Sequence, residues 1–161
     1  MFLTLPRPYN ELSPDSRLMF GVGDEWNFGI FRDVNWSDVD SNHHVSNLVF
    51  LRWCEDVRNR YSFEALGTWP DSSEQSVVLR SLSFEFERGI RLGDRVLVTA
   101  RTIKIGTTSW IQKYAVWNGN LGGRGEAVCG FVDETGSKLP ISPDVRERFR
   151  QIDPNLDCPS L

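Results

Sequence analysis

The segment Ser37-Asp38-Val39-Asp40-Ser41-Asn42-His43-His44-Val45-Ser46-Asn47 gathers two carboxylates, two imidazoles and two amides into eleven residues. It stands directly before the strongest helical pattern in the chain. The first turn of a helix carries N–H groups that lack intrahelical acceptors, together with the positive end of the helix dipole, so it stabilises an oxyanion. A carboxylate beside such an end can attack a carbonyl held there, or activate a water to do so. These are the requirements of acyl transfer, with the N–H groups around Val45, Ser46 and Asn47 as the oxyanion donors. Each residue also has a plainer use. Asp38, Asp40 and Asn42 are common turn and cap residues, and His43 and His44 read as a solvated loop pair. Neighbouring histidines do not easily reach one ion and no third ligand follows at helical spacing, so no metal is expected.

The elements that must position this segment are legible on both sides of it. After it, Phe50, Trp53, Cys54, Val57 and Tyr61 recur at i, i+3, i+4, i+7 and i+11, one apolar stripe of a helix. The opposite face carries Arg52, Asp56 and Arg60 at i,i+4 spacing for ion pairs. Ser46 or Asn47 is the expected N-cap, and Gly67 followed by Pro70 the expected stop. Before the segment, Phe31 to Trp36 is short and β-prone. Beyond the helix the period switches to two: Leu82, Phe84 and Phe86 alternate with Ser83, Glu85 and Glu87. Arg95–Ile105, Ser109–Trp117 and Arg124–Val132 are three further strands, rich in Val, Ile, Thr and aromatic residues. Gly93-Asp94, Gly106-Thr-Thr and Asn118-Gly-Asn-Leu-Gly-Gly read as hairpin connectors between them, and Asp133-Glu-Thr-Gly136 as a tight turn. One strand, one long helix and four antiparallel strands give an α+β fold in which a curved sheet covers the helix. Pro143 to Gln151 reads as a short charged helix.

Three stretches follow. Residues 1–28, punctuated by Pro6, Pro8, Pro14, Gly21 and Gly23, read as an irregular arm. It is docked on the domain or on a partner subunit by Phe20, Trp26 and Phe28. Residues 29–150 form the domain and 151–161 a tail.

Composition narrows the function further. The 161 residues suffice for one domain with a core. The net charge, 18 − 22 = −4, comes without any block of Lys or Arg, so nothing marks a nucleic-acid surface. Cys54, Cys129 and Cys158 are odd in number and widely spaced, which reads as free thiols in a reducing compartment. No apolar run reaches the length of a membrane span, and the N-terminus is broken by proline too early for a signal peptide. A cytoplasmic location is the expectation.

The segment before the helix resembles the signature of the 4-hydroxybenzoyl-CoA thioesterase-like branch of the hotdog superfamily. That signature reads roughly Asp-x-Asp-x-Asn-Gly-His-Val-Asn-Asn, then hydrophobic-Tyr-hydrophobic, then Glu-x-x-Arg within the helix. Here the run is Asp38-Val-Asp40-Ser-Asn42-His43-His44-Val45-Ser46-Asn47, then Val49-Phe50-Leu51, then Glu55-Asp-Val-Arg58. The match continues through Phe84-Glu-Phe, Gly93-Asp94-Arg-Val, Ile105-Gly-Thr-Thr-Ser109 and Asp133, and covers about residues 29 to 150. Two positions depart from it: His43 stands for the usual glycine, and Ser46 for the first of the paired asparagines.

The resemblance implies a hotdog fold and hydrolysis of fatty or aromatic acyl thioesters on CoA or acyl carrier protein, with no cofactor. It makes Asp40 the catalytic carboxylate, as nucleophile or general base. Asn42 and His44 join it, as in the similar plant acyl-carrier-protein thioesterases. Val45, Ser46, Asn47, Ser109, Arg88 and Arg91 are the implied substrate contacts, with Arg95 a further candidate for the phosphates. A homodimer or homotetramer with CoA near the subunit interface is implied as well. Two rivals remain open: a hydratase of the same fold, whose proline and preceding glycine this chain lacks, and a non-catalytic acyl-CoA-binding domain.

Overall fold

The computed structural model describes residues 10–67 and 75–157. Pro6 and Pro8 of the expected arm, Pro70 of the expected helix stop, and Cys158 with the end of the tail lie outside them. Among the described residues six strands form one antiparallel sheet: β1 (Phe28–Asp33), β2 (Ser76–Phe86), β3 (Arg95–Ile105), β4 (Ser109–Trp117), β5 (Leu121–Val132) and the short β6 (Lys138–Leu139). Their order is β1-β3-β4-β5-β2, with β6 paired to β5. Three α-helices accompany them in the described residues: α1 (Pro14–Phe20), α2 (Asn47–Leu66) and α3 (Pro143–Ile152).

The long helix α2 lies on the inner face of the sheet. Its expected stripe is buried: Phe50, Trp53, Cys54, Val57 and Tyr61 join Phe28, Ile30, Val98, Trp110, Tyr114 and Phe131 in the main core. The helix is started by Ser46, whose Oγ accepts from the Leu48 N–H, and stopped by Gly67 in the left-handed conformation. The i,i+4 ion pairs expected on its outer face do not form. Arg52 instead reaches Asp38 at 2.5 Å and Asp56 pairs with Arg32 at 3.1 Å. Both partners lie before the helix, so the charges tie α2 to the segment that precedes it.

Several boundaries differ from the sequence reading. The arm is not irregular throughout. It contains α1, opened by a capping box between Ser13 and Ser16 and closed by Gly21 at φ 72°. Phe20, Val22 and Trp26 then pack with Leu97 and Ala115 on the outer face of the sheet. The first strand begins at Phe28, and Trp36 falls in a 3₁₀ turn, Trp36–Asp38, where its ring is exposed. The largest difference concerns Gly93-Asp94, which is not a hairpin connector. β2 pairs with β5 and not with β3, so the segment 87–94 must cross the end of the sheet past two strands. On the way it is fastened by Arg88 N–H to Gly122 O at 3.0 Å and by Val34 N–H to Asp94 O at 2.9 Å. This crossing runs beneath the polar segment before α2.

Candidate active site

The candidate site is a small hairpin held between the crossing and the start of α2. Val39 and Val45 form an isolated bridge, and so do His44 and Arg91. The Val45 N–H donates to Ile90 O at 2.8 Å and the Ser46 N–H to Asp38 O at 2.8 Å. Ile90 and Val45 are both buried, so the loop is anchored by apolar packing under its backbone bonds.

The two carboxylates have different surroundings. Asp38 is 4% exposed. Its Oδ2 accepts from the Asn35 N–H at 2.9 Å and its Oδ1 from Arg52 Nη2 at 2.5 Å, so both oxygens are engaged in building the loop. Asp40 is exposed, and its Oδ1 accepts from the Asn42 N–H at 2.8 Å and from the His44 N–H at 3.4 Å. The Asp40 N–H donates to His44 O at 2.9 Å, which closes the turn. Among the described residues Oδ2 of Asp40 has no partner. One oxygen is thus fixed by the turn while the other is presented outward.

His44 is half-buried with its ring against Gly89, where a Cβ would come 2.7 Å from the ring carbon Cδ2. Gly89 is a residue the sequence reading missed. A side chain there would push His44 off its seat. The site asparagine, Asn42, is exposed and its side chain makes no hydrogen bond to another described residue. His43 has φ 60°, in the left-handed region. This is where the resemblance carries glycine, and an L side chain there costs about 1 kcal/mol. His43→Gly is expected to leave the melting temperature unchanged or raised and turnover within a few-fold. A collapse of turnover in a well-folded His43→Gly protein would give the imidazole a role this geometry does not.

Three N–H groups were expected to serve an oxyanion, and two are already used. Val45 and Ser46 donate to Ile90 and Asp38, as above, and the Leu48 N–H is capped by Ser46 Oγ at 3.4 Å. The Asn47 N–H, first in the helix, has no acceptor among the described residues. It stands at the positive end of a 20-residue helix, where an anionic or carbonyl oxygen is stabilised. Trp36 and Leu48, 78% and 69% exposed, place apolar surface on either side of the loop in the chain.

The remaining expected contacts divide. Arg88 and Arg91 are exposed on the crossing that carries Gly89 and Ile90, next to the His44 loop. Arg95 stacks over Phe31, 4.5 Å from the ring centroid, and approaches Asp33 at 3.5 Å, so it is engaged with β1. Ser109 is not brought to the site. It starts β4 at the end opposite Trp117, beside Gly106 and Gly130. The length of β4 separates it from the loop by roughly 25 Å within one chain. Among the described residues no group of three His, Cys, Asp or Glu could hold a metal ion. No described helix is long and apolar enough to cross a membrane.

The family model for the thioesterase-like superfamily matches residues 34–149. A thioesterase from Thermus thermophilus, solved in complex with coenzyme A and Zn, is 28% identical with a TM-score of 0.74. The match covers 82% of this chain and 98% of that one. A thioesterase-superfamily protein from Jannaschia sp. CCS1 is 23% identical with a TM-score of 0.83, covering 95% of this chain and 99% of that one. The 1,4-dihydroxy-2-naphthoyl-CoA thioesterase from Synechocystis is 17% identical with a TM-score of 0.70, covering 78% and 97%. At these lower identities the likeness is one of fold. No curated protein matches the sequence.

Proposed function

The chain belongs to the thioesterase-like superfamily as a hotdog-fold thioester hydrolase, and on that premise we propose that its substrates are acyl-CoA thioesters and that Asp40 supplies the reacting carboxylate. The observations that carry this reading are two groups left without a partner among the described residues, Oδ2 of Asp40 in the loop and the Asn47 N–H at the start of the helix that follows it. A thioester carbonyl accepting from that N–H would develop its negative charge at the positive end of α2. Asp40 then attacks the carbonyl carbon, the C–S bond breaks and CoA leaves as the thiolate; water cleaves the acyl-aspartyl anhydride, which restores the Asp40 carboxylate, releases the free acid and supplies the proton that the thiolate takes up. Alternatively Asp40 takes a proton from a water that attacks directly. His44 and Asn42 orient the carboxylate and the thioester, and Arg88 and Arg91 meet the phosphates of CoA.

The same reading includes a homodimer. The two edges of the sheet are unlike. Along β1, Glu11 N–H donates to Gly29 O at 2.7 Å, and Asn10 Oδ1 and Glu11 Oε2 accept from the backbone N–H groups of Gly29 and Phe31. The arm therefore closes that edge. Along β2 the outer edge of eleven residues has no strand beside it among the described residues, and Val78, Leu79 and Phe86 are exposed there. A long, apolar open edge pairs with another chain unless something blocks it.

One preparation tests the reading. Light scattering is expected to give about twice the 18.4 kDa chain mass. Release of free thiol is expected from at least one class in a panel of short, long and aromatic acyl-CoAs. Thioester binding without thiol release would favour a non-catalytic acyl-CoA carrier, and hydration of an enoyl-CoA in its place would favour the hydratase.

A further inference from the structure

The arm and the segment after α3 meet on the same edge of the sheet. β1 begins at Phe28, opposite Ala100, so the last residues of β3, Thr102 to Ile105, have no strand on that side among the described residues. The segment after α3 covers them. Asp157 and Lys104 form a parallel bridge, the Asp157 N–H donates to Ile103 O at 2.9 Å, and the Ile105 N–H donates to Asp157 O at 2.8 Å. Nearer β1 the acceptor is a side chain: the buried Asp153 takes the Thr102 N–H on Oδ2 at 2.8 Å. Its Oδ1 accepts from Asn27 Nδ2 at 3.3 Å, just before β1 begins. The arm continues from there. Asn10 Nδ2 donates to Asn27 O at 2.8 Å, and Asn10 Oδ1 and Glu11 Oε2 hold the N–H groups of Gly29 and Phe31.

Three acceptors on this edge are therefore side chains: those of Asn10, Glu11 and Asp153. That differs physically from closure by an added strand. A strand that pairs with an edge satisfies it, and presents a new row of N–H and C=O groups on its own far side. A carboxylate or amide oxygen satisfies the N–H and offers the next chain no ladder to continue. Residues 10–13 accordingly form no strand beside β1, and their backbone joins it through Glu11 N–H to Gly29 O. The opposite edge is built the other way: β2 is eleven residues long and exposes Val78, Leu79 and Phe86.

Resting on the dimer reading above, we infer that the arm and the segment after α3 together form a stop on sheet growth, which limits pairing with a second copy of this chain to the β2 edge. With β1 bare, β2 of one copy can pair with β1 of the next, a head-to-tail contact that repeats without closing. With β1 stopped, β2 meets β2 of one other copy and the contact closes at two. The stop thus sets the size of the assembly from the edge that takes no part in it.

Two double variants test this. Asn10→Ala with Glu11→Ala bares the Gly29 and Phe31 N–H groups. Asn10→Ala with Glu11→Lys bares the same groups and adds a charge that opposes pairing at the edge. Both keep Phe20, Val22 and Trp26, which dock the arm further along. Light scattering over a concentration series should give one constant mass, that of the dimer, for the unaltered protein. In both variants amide exchange at Gly29 and Phe31 should speed up by about tenfold or more in dilute solution. Only the Glu11→Ala pair should pass to species several times heavier as concentration rises, with its circular dichroism unchanged and its two amides protected again. The Glu11→Lys pair should stay at the dimer mass. A constant mass for the Glu11→Ala pair overturns the inference. So does equal association of both pairs, which marks lost stability and not edge pairing. A monomer mass for the unaltered protein would sink the dimer reading instead. The stop then stands if the Glu11→Ala pair alone associates, and falls if both pairs or neither do.

Discussion

Asp38→Ala is expected to lower the stability of the fold by about 2–4 kcal/mol, roughly 6–12 °C in melting temperature for a domain of this size. Both oxygens of Asp38 are in use, one on the Asn35 N–H that opens the 3₁₀ turn and one on Arg52. Its carboxylate is buried, so removing it leaves the turn without its acceptor and Arg52 without its anchor. Arg52 is itself half exposed and recovers water, which keeps the cost below that of a fully buried pair. Asp38→Asn retains an acceptor for Asn35 and should cost about 1 kcal/mol. Turnover per folded molecule should fall by less than tenfold in either variant, because the Ser46 N–H to Asp38 O bond is made by backbone and survives. Calorimetry and thiol release on the same samples check this. An unchanged melt with lost turnover would make Asp38 the reacting carboxylate.

The contrast between the two aspartates was only partly legible in the sequence. Asp38 and Asp40 are both turn residues by type, and the resemblance singled out Asp40. What separates them physically is a pair of long-range partners. Arg52 lies on the far side of the loop in the chain, and Ile90 supplies the carbonyl that pins Val45. Neither partner is visible at short range. The spacing of Arg52, Asp56 and Arg60 pointed to pairs within the helix, yet Asp38 and Arg32 outcompete those neighbours because they pack against the same helix from before it.

Local periodicity served best where one face is buried against one surface. The stripe from Phe50 to Tyr61 lies in the core as expected, and β3, β4 and α3 fall close to their expected limits. It served worst where tertiary order overrides adjacency. The first strand after the helix was expected beside the next one, and instead occupies the opposite edge. That displacement turns residues 87–94 from a hairpin into the floor of the site, and it is why Gly89 matters. Trp36 reads as strand by its ring and lies exposed in a turn, since the strand already ends at Asp33. Ser109 followed the motif into the expected site, but the strand that carries it runs away from the loop.

Asp40→Asn tests the centre of this account most directly. The substitution keeps the side-chain oxygen that accepts from the Asn42 N–H, so the turn is preserved while the charge is removed. Loss of a nucleophile or general base costs about two to four orders of magnitude in rate. Loss of a turn contact would cost about 1 kcal/mol of stability and leave the chemistry alone. The measurement is acyl-CoA hydrolysis and thermal melting on one Asp40→Asn preparation. Turnover is expected to collapse while the melting temperature holds or rises, as happens when a charge is kept for function at some cost to the fold. A lowered melt with turnover per folded molecule intact would show Asp40 to be a turn residue and contradict the proposed chemistry.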